Sequence, residues 1–169
     1  RDRAIDWSRD TTQDVLRKLR SADGSPGVMS EVFGIEARLF DAREAHGLGG
    51  APGMPIARSD NAIAIATVDG AVWIGHLKLS GDDMLKLPAR DLLGARANAL
   101  PELADPDGAP VRYVENGAVG YLHFDFHNGA MGVAECRALS AAYARALTRP
   151  TRVLVLMGGP DYWSNGIHL

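Results

Sequence analysis

The sequence predicts an α+β part followed by an α/β part: one helix and a small β-barrel, and then a single βαβ unit. Three observations predict this fold class. First, apolar residues recur at helical spacing in residues 11–20. Second, they alternate with a period of two from residue 28 to about residue 80. Third, the pattern after residue 119 is that of a strand, a helix and a second strand. Four prolines between residues 81 and 118 predict a connecting segment between the two parts.

The first predicted element is a helix within residues 1–27. Thr11 is a suitable N-cap, and Asp14 follows it at the spacing of a capping box. The predicted apolar side of the helix consists of Val15, Leu16 and Leu19. Three cations, Arg17, Lys18 and Arg20, lie near its C-terminal end, where positive charge is favourable. Gly24 and Pro26-Gly27 end the helix.

Residues 28–88 predict a small barrel or meander, such as a partly open Greek-key barrel. Several short runs with a period of two are separated by turn residues, and Asp69-Gly70 between two such runs is a strong hairpin signal. The glycine-rich segment 47–53 lacks the Lys-Ser/Thr of a phosphate loop and precedes a strand, so we expect an ordinary loop there.

The predicted linker covers residues 89–118, with one turn of helix near Arg90–Leu93. Residues 119–169 then predict a strand, followed by a helix over residues 128–147 that is capped by Asn128. A second strand over residues 153–157 is continuously apolar, so we expect it to be buried on both faces. One βαβ unit cannot bury its own faces. We therefore expect the chain to be an internal fragment of a longer protein, and an apolar patch to be exposed around the second strand and the helix.

Composition narrows the functional classes. The net charge is −3, with 46% hydrophobic and 23% charged residues, which does not indicate a nucleic-acid surface. No apolar run approaches the length of about 18 residues that a membrane helix needs, and we expect no signal peptide from the opening residues. A single cysteine fits a reducing compartment, so we expect a cytoplasmic protein without nucleic-acid or membrane partners.

Three sets of residues are candidates for chemistry. The turn Ser164-Asn165-Gly166-Ile167 follows a predicted buried strand; its backbone N–H groups suit an oxyanion hole, and an ordinary βα loop is the alternative. His123, Asp125 and His127 would share one strand face, which suits either zinc or a polar face, and we predict no metal site. Cys136 lies in mid-helix beside an acidic residue, which predicts a buried structural thiol.

Two stretches resemble two known families. The first runs from Ile5-Asp6-Trp7-Ser8 through Pro26-Gly27 and the strands of "APGMPIARSDNAIAIATVDGAVWIGHLKL". It resembles the C-terminal domain of folate-dependent formyltransferases, an oligonucleotide-binding-type (OB) barrel that follows a catalytic domain. The resemblance implies that 10-formyl-tetrahydrofolate is bound mainly by a domain upstream of this chain, which also carries the catalytic residues.

The second stretch, residues 120–169, is similar to the start of a crotonase (enoyl-CoA hydratase/isomerase) domain. The resemblance implies that the backbone N–H of Ile167 is one oxyanion-hole donor to a coenzyme A thioester. Asn165 and His168 depart from the small residue and the aspartate that are usual in this family. The residues that the resemblance implies for contact with coenzyme A are Ser164, Asn165, Gly166, Ala130 and Met131.

Together, the two stretches resemble the hydrogenase maturation proteins of the HypX/HoxX type, and "FDFHNGAM" and "VLMGGPDYWSNGIHL" carry this resemblance. It implies transfer of a formyl group from 10-formyl-tetrahydrofolate to coenzyme A. It further implies decarbonylation of formyl-CoA to carbon monoxide for a nickel–iron centre, with the hydrogenase maturation machinery as a partner. The chain alone, with one oxyanion donor, is expected to be inactive.

Other readings of the sequence remain open. A methionyl-tRNA-type formyltransferase explains residues 5–80, but residues 28–80 carry four cations against six carboxylates, a net charge of −2 that disfavours RNA. An enoyl-CoA hydratase or isomerase explains only the C-terminal third. A non-catalytic barrel that binds or docks other domains is the third alternative.

Overall fold

A computed structural model of the chain describes residues 3–81, 85–159 and 162–167. The fold divides into two compact units, Arg1–Gly108 and Ala109–Leu169, which are described separately. Neither unit contains, among its described residues, a helix that is both long enough and apolar enough to cross a membrane.

The first unit opens with helix α1, Thr12–Arg20, and its capping box is confirmed. The Thr11 N–H donates to the Asp14 carboxylate and the Asp14 N–H donates to the Thr11 hydroxyl, each over 3.2 Å. These two bonds satisfy backbone donors that the first turn leaves without helical partners. The apolar side packs inward as predicted, since Val15, Leu16 and Leu19 are buried.

A six-stranded antiparallel sheet forms the rest of this unit's framework. Its strands are β1 (Val28–Val32), β2 (Ile35–Glu44), β3 (Pro55–Arg58), β4 (Ile63–Ala66), β5 (Ala71–Leu79) and β6 (Leu87–Pro88). The order is β1-β2-β5-β4-β3, with β6 paired to β5. The hairpin predicted at Asp69-Gly70 is confirmed, because β4 and β5 pair up to Ala66 and Ala71.

The sheet is open, which corrects the predicted barrel. Among the described residues no pairing joins the outer strands β1 and β3. Helix α1 instead packs on the sheet, where Leu16 and Leu19 join Leu39, Ile63 and Ile74 in one buried cluster. Helix α1 thus covers the apolar face of the sheet. In a barrel, the sheet would cover this face by closing on itself.

Residues 89–118 differ from the predicted linker. Helix α2 (Ala89–Leu93) confirms the expected turn of helix, and helix α3 (Ala95–Asn98), a 3-10 turn at Pro106–Gly108 and strand β7 (Val111–Asn116) follow. Ala89, Leu93 and Ala97 are buried in the α1 cluster. Prolines and glycines had indicated a connecting segment, but these three apolar side chains anchor the first half of it to the core.

The second unit is a three-stranded sheet with one helix. Strand β7 pairs antiparallel with β8 (Val119–Phe124), and β8 pairs parallel with β9 (Val153–Met157). Helix α4 (Val133–Ala146) connects β8 to β9, so the predicted βαβ unit is confirmed.

The predicted helix start at Asn128 is wrong. Residues His127–Gly129 form a 3-10 turn, and Gly129 takes a left-handed φ of +66° that ends it. Helix α4 is capped at Gly132 instead, where the Glu135 carboxylate accepts the Gly132 N–H over 3.0 Å. The sequence pattern missed this turn because Ala130 and Met131 continue the apolar spacing of the helix.

Strand β9 is not buried on both faces in this chain, contrary to the prediction. Val153 is 52% exposed and Leu156 is 42% exposed, because helix α4 packs mainly on β7 and β8. The expected apolar patch on β9 and α4 is confirmed, and its exposed members are Val133, Tyr143, Leu147, Val153, Leu156 and Met157.

Candidate functional site

The candidate site lies where the C-terminal turn meets the entry to helix α4. Met131 and Ile167 are partners in an isolated parallel β-bridge, in which the Met131 N–H donates to the Gly166 carbonyl over 3.0 Å. The Asn165 N–H donates to the Gly129 carbonyl over 2.7 Å. These two backbone bonds hold residues 165–167 against residues 129–131, which are distant in sequence.

Gly166 shapes this turn. Its φ is +93°, in the region where a side chain is strained, and its N–H donates to the Ser164 hydroxyl over 3.3 Å. A β-branched residue could not take the place of Gly166 without strain.

The backbone N–H of Ile167 is left available by this arrangement. It forms no hydrogen bond with any described residue, since the Gly166 carbonyl serves the bridge and Met131 is the donor. Ile167 as a residue is 77% exposed. A backbone N–H is an obligatory donor, and an exposed one at a fixed position can bind a carbonyl oxygen or an oxyanion.

Two hollows adjoin the Met131–Ile167 bridge. One, of about 290 Å³, is apolar and lined by Leu122, Phe124, Met131, Leu139, Leu156 and Trp163, among others. Phe124 and Trp163 meet edge to face in it, with ring centroids 5.4 Å apart. The other, of about 430 Å³, is lined by Met131, Gly132, Val133, Cys136, Arg137, Ser140 and Ile167.

The structure brings the residues predicted for coenzyme A to one place. Ser164, Asn165 and Gly166 lie in the turn, and Ala130 and Met131 lie in the segment that it contacts. His168, the other departure from the crotonase pattern, lies outside the described residues.

Two other sequence predictions change at this site. Cys136 is exposed, so the prediction of a buried thiol is wrong for this chain. Cys136 lies on the side of α4 that lines the larger hollow.

The polar strand face predicted for His123, Asp125 and His127 is also interrupted, because β8 ends at Phe124 and His127 starts a 3-10 turn. In the part of the chain that the structure describes, no three His, Cys, Asp or Glu side chains are grouped to hold a metal ion.

A buried charge cluster in the first unit was not predicted. The Arg43 guanidinium binds the Asp105 carboxylate through Nη2 (2.6 Å) and Nε (2.8 Å), and Nη1 binds Asp41 (2.8 Å). Burial raises the pKa of Asp41, but hydrogen bonding from His76 and the charge of Arg43 outweigh it and lower that pKa to about 2. The cluster fixes segment 105–108 to the sheet. We assign it a structural role.

No local signal reveals this cluster. Asp41 has a φ of +54°, and Gly75 and Gly108 leave the space that the Asp41 and Arg43 side chains fill. Sequence separation hides the main contact, since Arg43 and Asp105 are 62 residues apart.

Comparisons with known proteins agree with this architecture. The family of the formyl transferase C-terminal domain matches residues 1–93. The chain is 57% identical over 168 residues to the hydrogenase maturation factor HoxX of Bradyrhizobium diazoefficiens, and the match covers 99% of this chain and 30% of that protein. The predicted resemblance to the HypX/HoxX type is thereby confirmed.

Solved structures give the same result. HypX from Aquifex aeolicus in complex with tetrahydrofolic acid is 36% identical, with a TM-score of 0.83 over 98% of this chain and 31% of that one. A variant of the same protein has a TM-score of 0.82 over 98% of this chain and 32% of its own. The chain spans about 30% of the length of these relatives. It belongs to the formyl transferase C-terminal domain family, with a similarity to HoxX and HypX that extends over nearly its whole length.

Proposed function

We propose that this chain works within a hydrogenase maturation enzyme that makes carbon monoxide for a nickel–iron centre. The complete protein would transfer a formyl group from 10-formyl-tetrahydrofolate to coenzyme A and decarbonylate the resulting formyl-CoA. Support comes from the formyl transferase family match, the 57% identity to a hydrogenase maturation factor, and the tetrahydrofolic acid bound to the related HypX.

The second unit supplies the start of a crotonase-like domain in this proposal. The observation that carries it is the Ile167 N–H: the Met131–Gly166 bond fixes its peptide group, and it has no acceptor among the described residues. We assign Ile167 as one oxyanion donor to the thioester carbonyl oxygen. Contact with coenzyme A is assigned to Ser164, Asn165, Gly166, Ala130 and Met131.

The reaction explains why such a donor is useful. Decarbonylation of formyl-CoA breaks the carbon–sulfur bond, releases the formyl hydrogen as a proton, and returns that proton to the thiolate, so that carbon monoxide and coenzyme A are formed. Holding the carbonyl oxygen positions the formyl carbon for proton removal. The site must also exclude water, which would hydrolyse the thioester.

The remaining parts of the site are assigned to the complete protein. Folate binding belongs mainly to a domain upstream, and the acid or base and the second oxyanion donor belong to the rest of the crotonase-like domain. The open sheet of the first unit corresponds to the C-terminal domain of the formyltransferase part. We further propose a cytoplasmic location, and contact with the hydrogenase maturation machinery.

The experiment uses the complete protein with 10-formyl-tetrahydrofolate and coenzyme A, and detects carbon monoxide by the spectral shift of reduced haemoglobin. We expect carbon monoxide that depends on both substrates. If formyl-CoA accumulates without carbon monoxide, the assignment of the second unit is wrong. If neither product forms, the whole proposal is contradicted.

A further inference from the structure

The C-terminal end of the first unit is held by a buried ion pair. The side chain of Asp105 is only 3% exposed, and its carboxylate accepts from Nε and Nη2 of Arg43 over 2.8 and 2.6 Å. Arg43 lies in strand β2, which is paired with β1 on one side and with β5 on the other. The contact therefore ties the segment around Asp105 to the inside of the sheet, and breaking it would leave a buried charge without its partner.

The last residue of the unit, Gly108, is held through the same aspartate. Its N–H donates to the carboxylate oxygen and to the carbonyl oxygen of Asp105, over 3.1 Å in each case. A Cβ at position 108 would overlap Nη2 of Arg43 and the carboxylate of Asp105, so the backbone of Gly108 lies directly against the ion pair. The position of Gly108 therefore depends on Arg43.

The second unit is anchored almost immediately after this point. The Asp125 N–H, which follows the end of β8, donates to the Pro110 carbonyl over 2.8 Å, and strand β7 begins at Val111. Ala109 alone lies between the two anchored residues Gly108 and Pro110. The connection between the last anchor of one unit and the first anchor of the other is therefore one residue long.

Loss of the ion pair would lengthen this connection. In the described part of the chain, the next backbone anchor before Asp105 is Leu103, whose N–H donates to the carbonyl of Arg58 in strand β3 over 2.9 Å. Without Arg43, the unanchored stretch would run over residues 104–109 instead of covering Ala109 alone. Such a stretch can extend over roughly 20 Å, whereas a single residue spans about 3.5 Å.

We propose that Arg43 is a positioning residue, which keeps the connection short so that the complete protein passes its thioester from the first reaction to the second without releasing it. This inference rests on the proposed function. In the first reaction the formyl carbon leaves the folate nitrogen and bonds to the thiol sulfur of coenzyme A, and the thiol proton goes to the folate. The product is a thioester that water hydrolyses, so direct use protects it. A longer flexible connection lowers the effective concentration of one reaction centre at the other.

The first test is an isotope-dilution assay on the complete protein. It receives 10-formyl-tetrahydrofolate with an isotope-labelled formyl group, coenzyme A and an excess of unlabelled formyl-CoA, and mass spectrometry gives the labelled fraction of the carbon monoxide. In the wild type we expect mostly labelled carbon monoxide. In Arg43→Met this fraction should fall several-fold, because released thioester mixes with the unlabelled pool. A loss of stability alone would lower the amount of carbon monoxide but not its labelled fraction.

The matched control is Arg38→Met. Arg38 lies in the same strand, and its guanidinium donates to the Pro26 carbonyl over 3.2 Å rather than to the segment around Asp105. This variant should keep the labelled fraction of the wild type.

The second test lengthens the connection without touching the ion pair, since Arg43→Met also lowers stability. Insertion of Gly-Ser-Gly after Ala109 should lower the labelled fraction several-fold, as Arg43→Met does, while the unfolding curve stays that of the wild type. The same insertion after Gly34, in the turn between β1 and β2 where the space around the glycine is open, is the control. It should leave the labelled fraction unchanged.

The outcomes separate this inference from the proposed function. A wild-type labelled fraction in both Arg43→Met and the Ala109 insertion, or a fall in Arg43→Met alone, overturns the inference. So does a wild type whose carbon monoxide already has the label content of the unlabelled pool. In these cases carbon monoxide is still formed and the proposed function stands. If the wild type forms no carbon monoxide from either source of the formyl group, the proposed function fails, and this inference fails with it.

Discussion

Met131 and Ile167 are partners in a parallel β-bridge, and the Met131 N–H donates to the carbonyl of Gly166 over 3.0 Å. This contact joins the turn after β9 to the segment that enters α4. It uses the carbonyl of Gly166, and the amide of Ile167 has no acceptor among residues 3–81, 85–159 and 162–167. The position of that amide is therefore fixed by the backbone of a different element, which is the preorganisation that an oxyanion donor needs.

The first prediction concerns the chain itself. The 169 residues alone should produce no carbon monoxide from 10-formyl-tetrahydrofolate and coenzyme A, because they supply one proposed oxyanion donor and none of the proposed acid or base groups. The haemoglobin assay on the purified chain, with the complete protein as positive control, measures this. Turnover by the chain would show that the assignment of the remaining groups to other parts of the protein is wrong.

The second prediction concerns the buried cation of the first unit. Arg43→Met should lower the free energy of unfolding by about 3 kcal/mol or more, because it leaves the Asp105 carboxylate, only 3% exposed, without its partner. Urea denaturation of the chain measures the loss. Arg17→Met is the matched control: its ion pair with Asp14 is solvent-exposed, so the change should stay below about 1 kcal/mol. Equal losses in the two variants would refute a special role for Arg43.

The third prediction concerns the pH dependence of stability. The pKa of Asp41 falls from 3.8 to about 2 in the folded chain, so its carboxylate stabilises the fold above pH 4. This contribution should be lost progressively as the pH falls from about 4 towards 2. Asp41→Asn should lack that part of the loss, and asparagine tolerates the left-handed backbone of this position.

Unfolding curves of the wild type and Asp41→Asn between pH 7 and pH 2 check this. The difference between the two isolates Asp41, because other carboxylates with lowered pKa values, such as Asp14 and Asp69, contribute to both. Parallel curves over the whole range would contradict the prediction.

The fourth prediction concerns the contact between α1 and the β4–β5 hairpin. The Asp69 carboxylate accepts the Thr12 N–H (2.7 Å) and hydroxyl (2.9 Å), and Thr12 is within 2.7 Å of the Thr67 hydroxyl. Asp69→Ala should lower the midpoint temperature of unfolding, because it leaves the N–H of the buried Thr12 without its acceptor. Asp69→Asn should cost less, since the amide oxygen can still accept and asparagine suits the turn. Thermal unfolding measures the stability of each variant. Asp60→Ala, in another loop of the same sheet, is the control and should have almost no effect. An equal effect of Asp60→Ala would argue against a stabilising role of the Asp69–Thr12 hydrogen bonds.

The local features of the fold were predictable from the sequence. The Thr11–Asp14 capping box, the Asp69-Gly70 hairpin and the βαβ order each depend on residues close together in the chain, and all are confirmed. The crossing contacts were not predictable. Asp69 was expected only to turn the chain, and nothing nearby indicates that it also binds the start of α1.

The misplaced predictions share a physical cause. Periodicity shows which side chains are apolar but not what covers them, so Cys136 and β9 were expected to be buried although both are exposed in this chain. The barrel was expected because short strands repeat, and the helix that covers the sheet is visible only in three dimensions. At the candidate site, the resemblance to crotonases pointed to Ile167, whereas the hollows beside it emerged only from the three-dimensional structure.

The most direct test of the central claim replaces Ile167 in the complete protein and measures carbon monoxide formation. Ile167→Pro removes the backbone N–H, and Ile167→Ala keeps it while removing the same exposed side chain. We predict that the proline variant loses roughly 10²- to 10³-fold in kcat, the usual cost of one oxyanion donor, while still binding coenzyme A, and that the alanine variant stays near the wild type. Equal turnover by the proline and alanine variants would contradict the account.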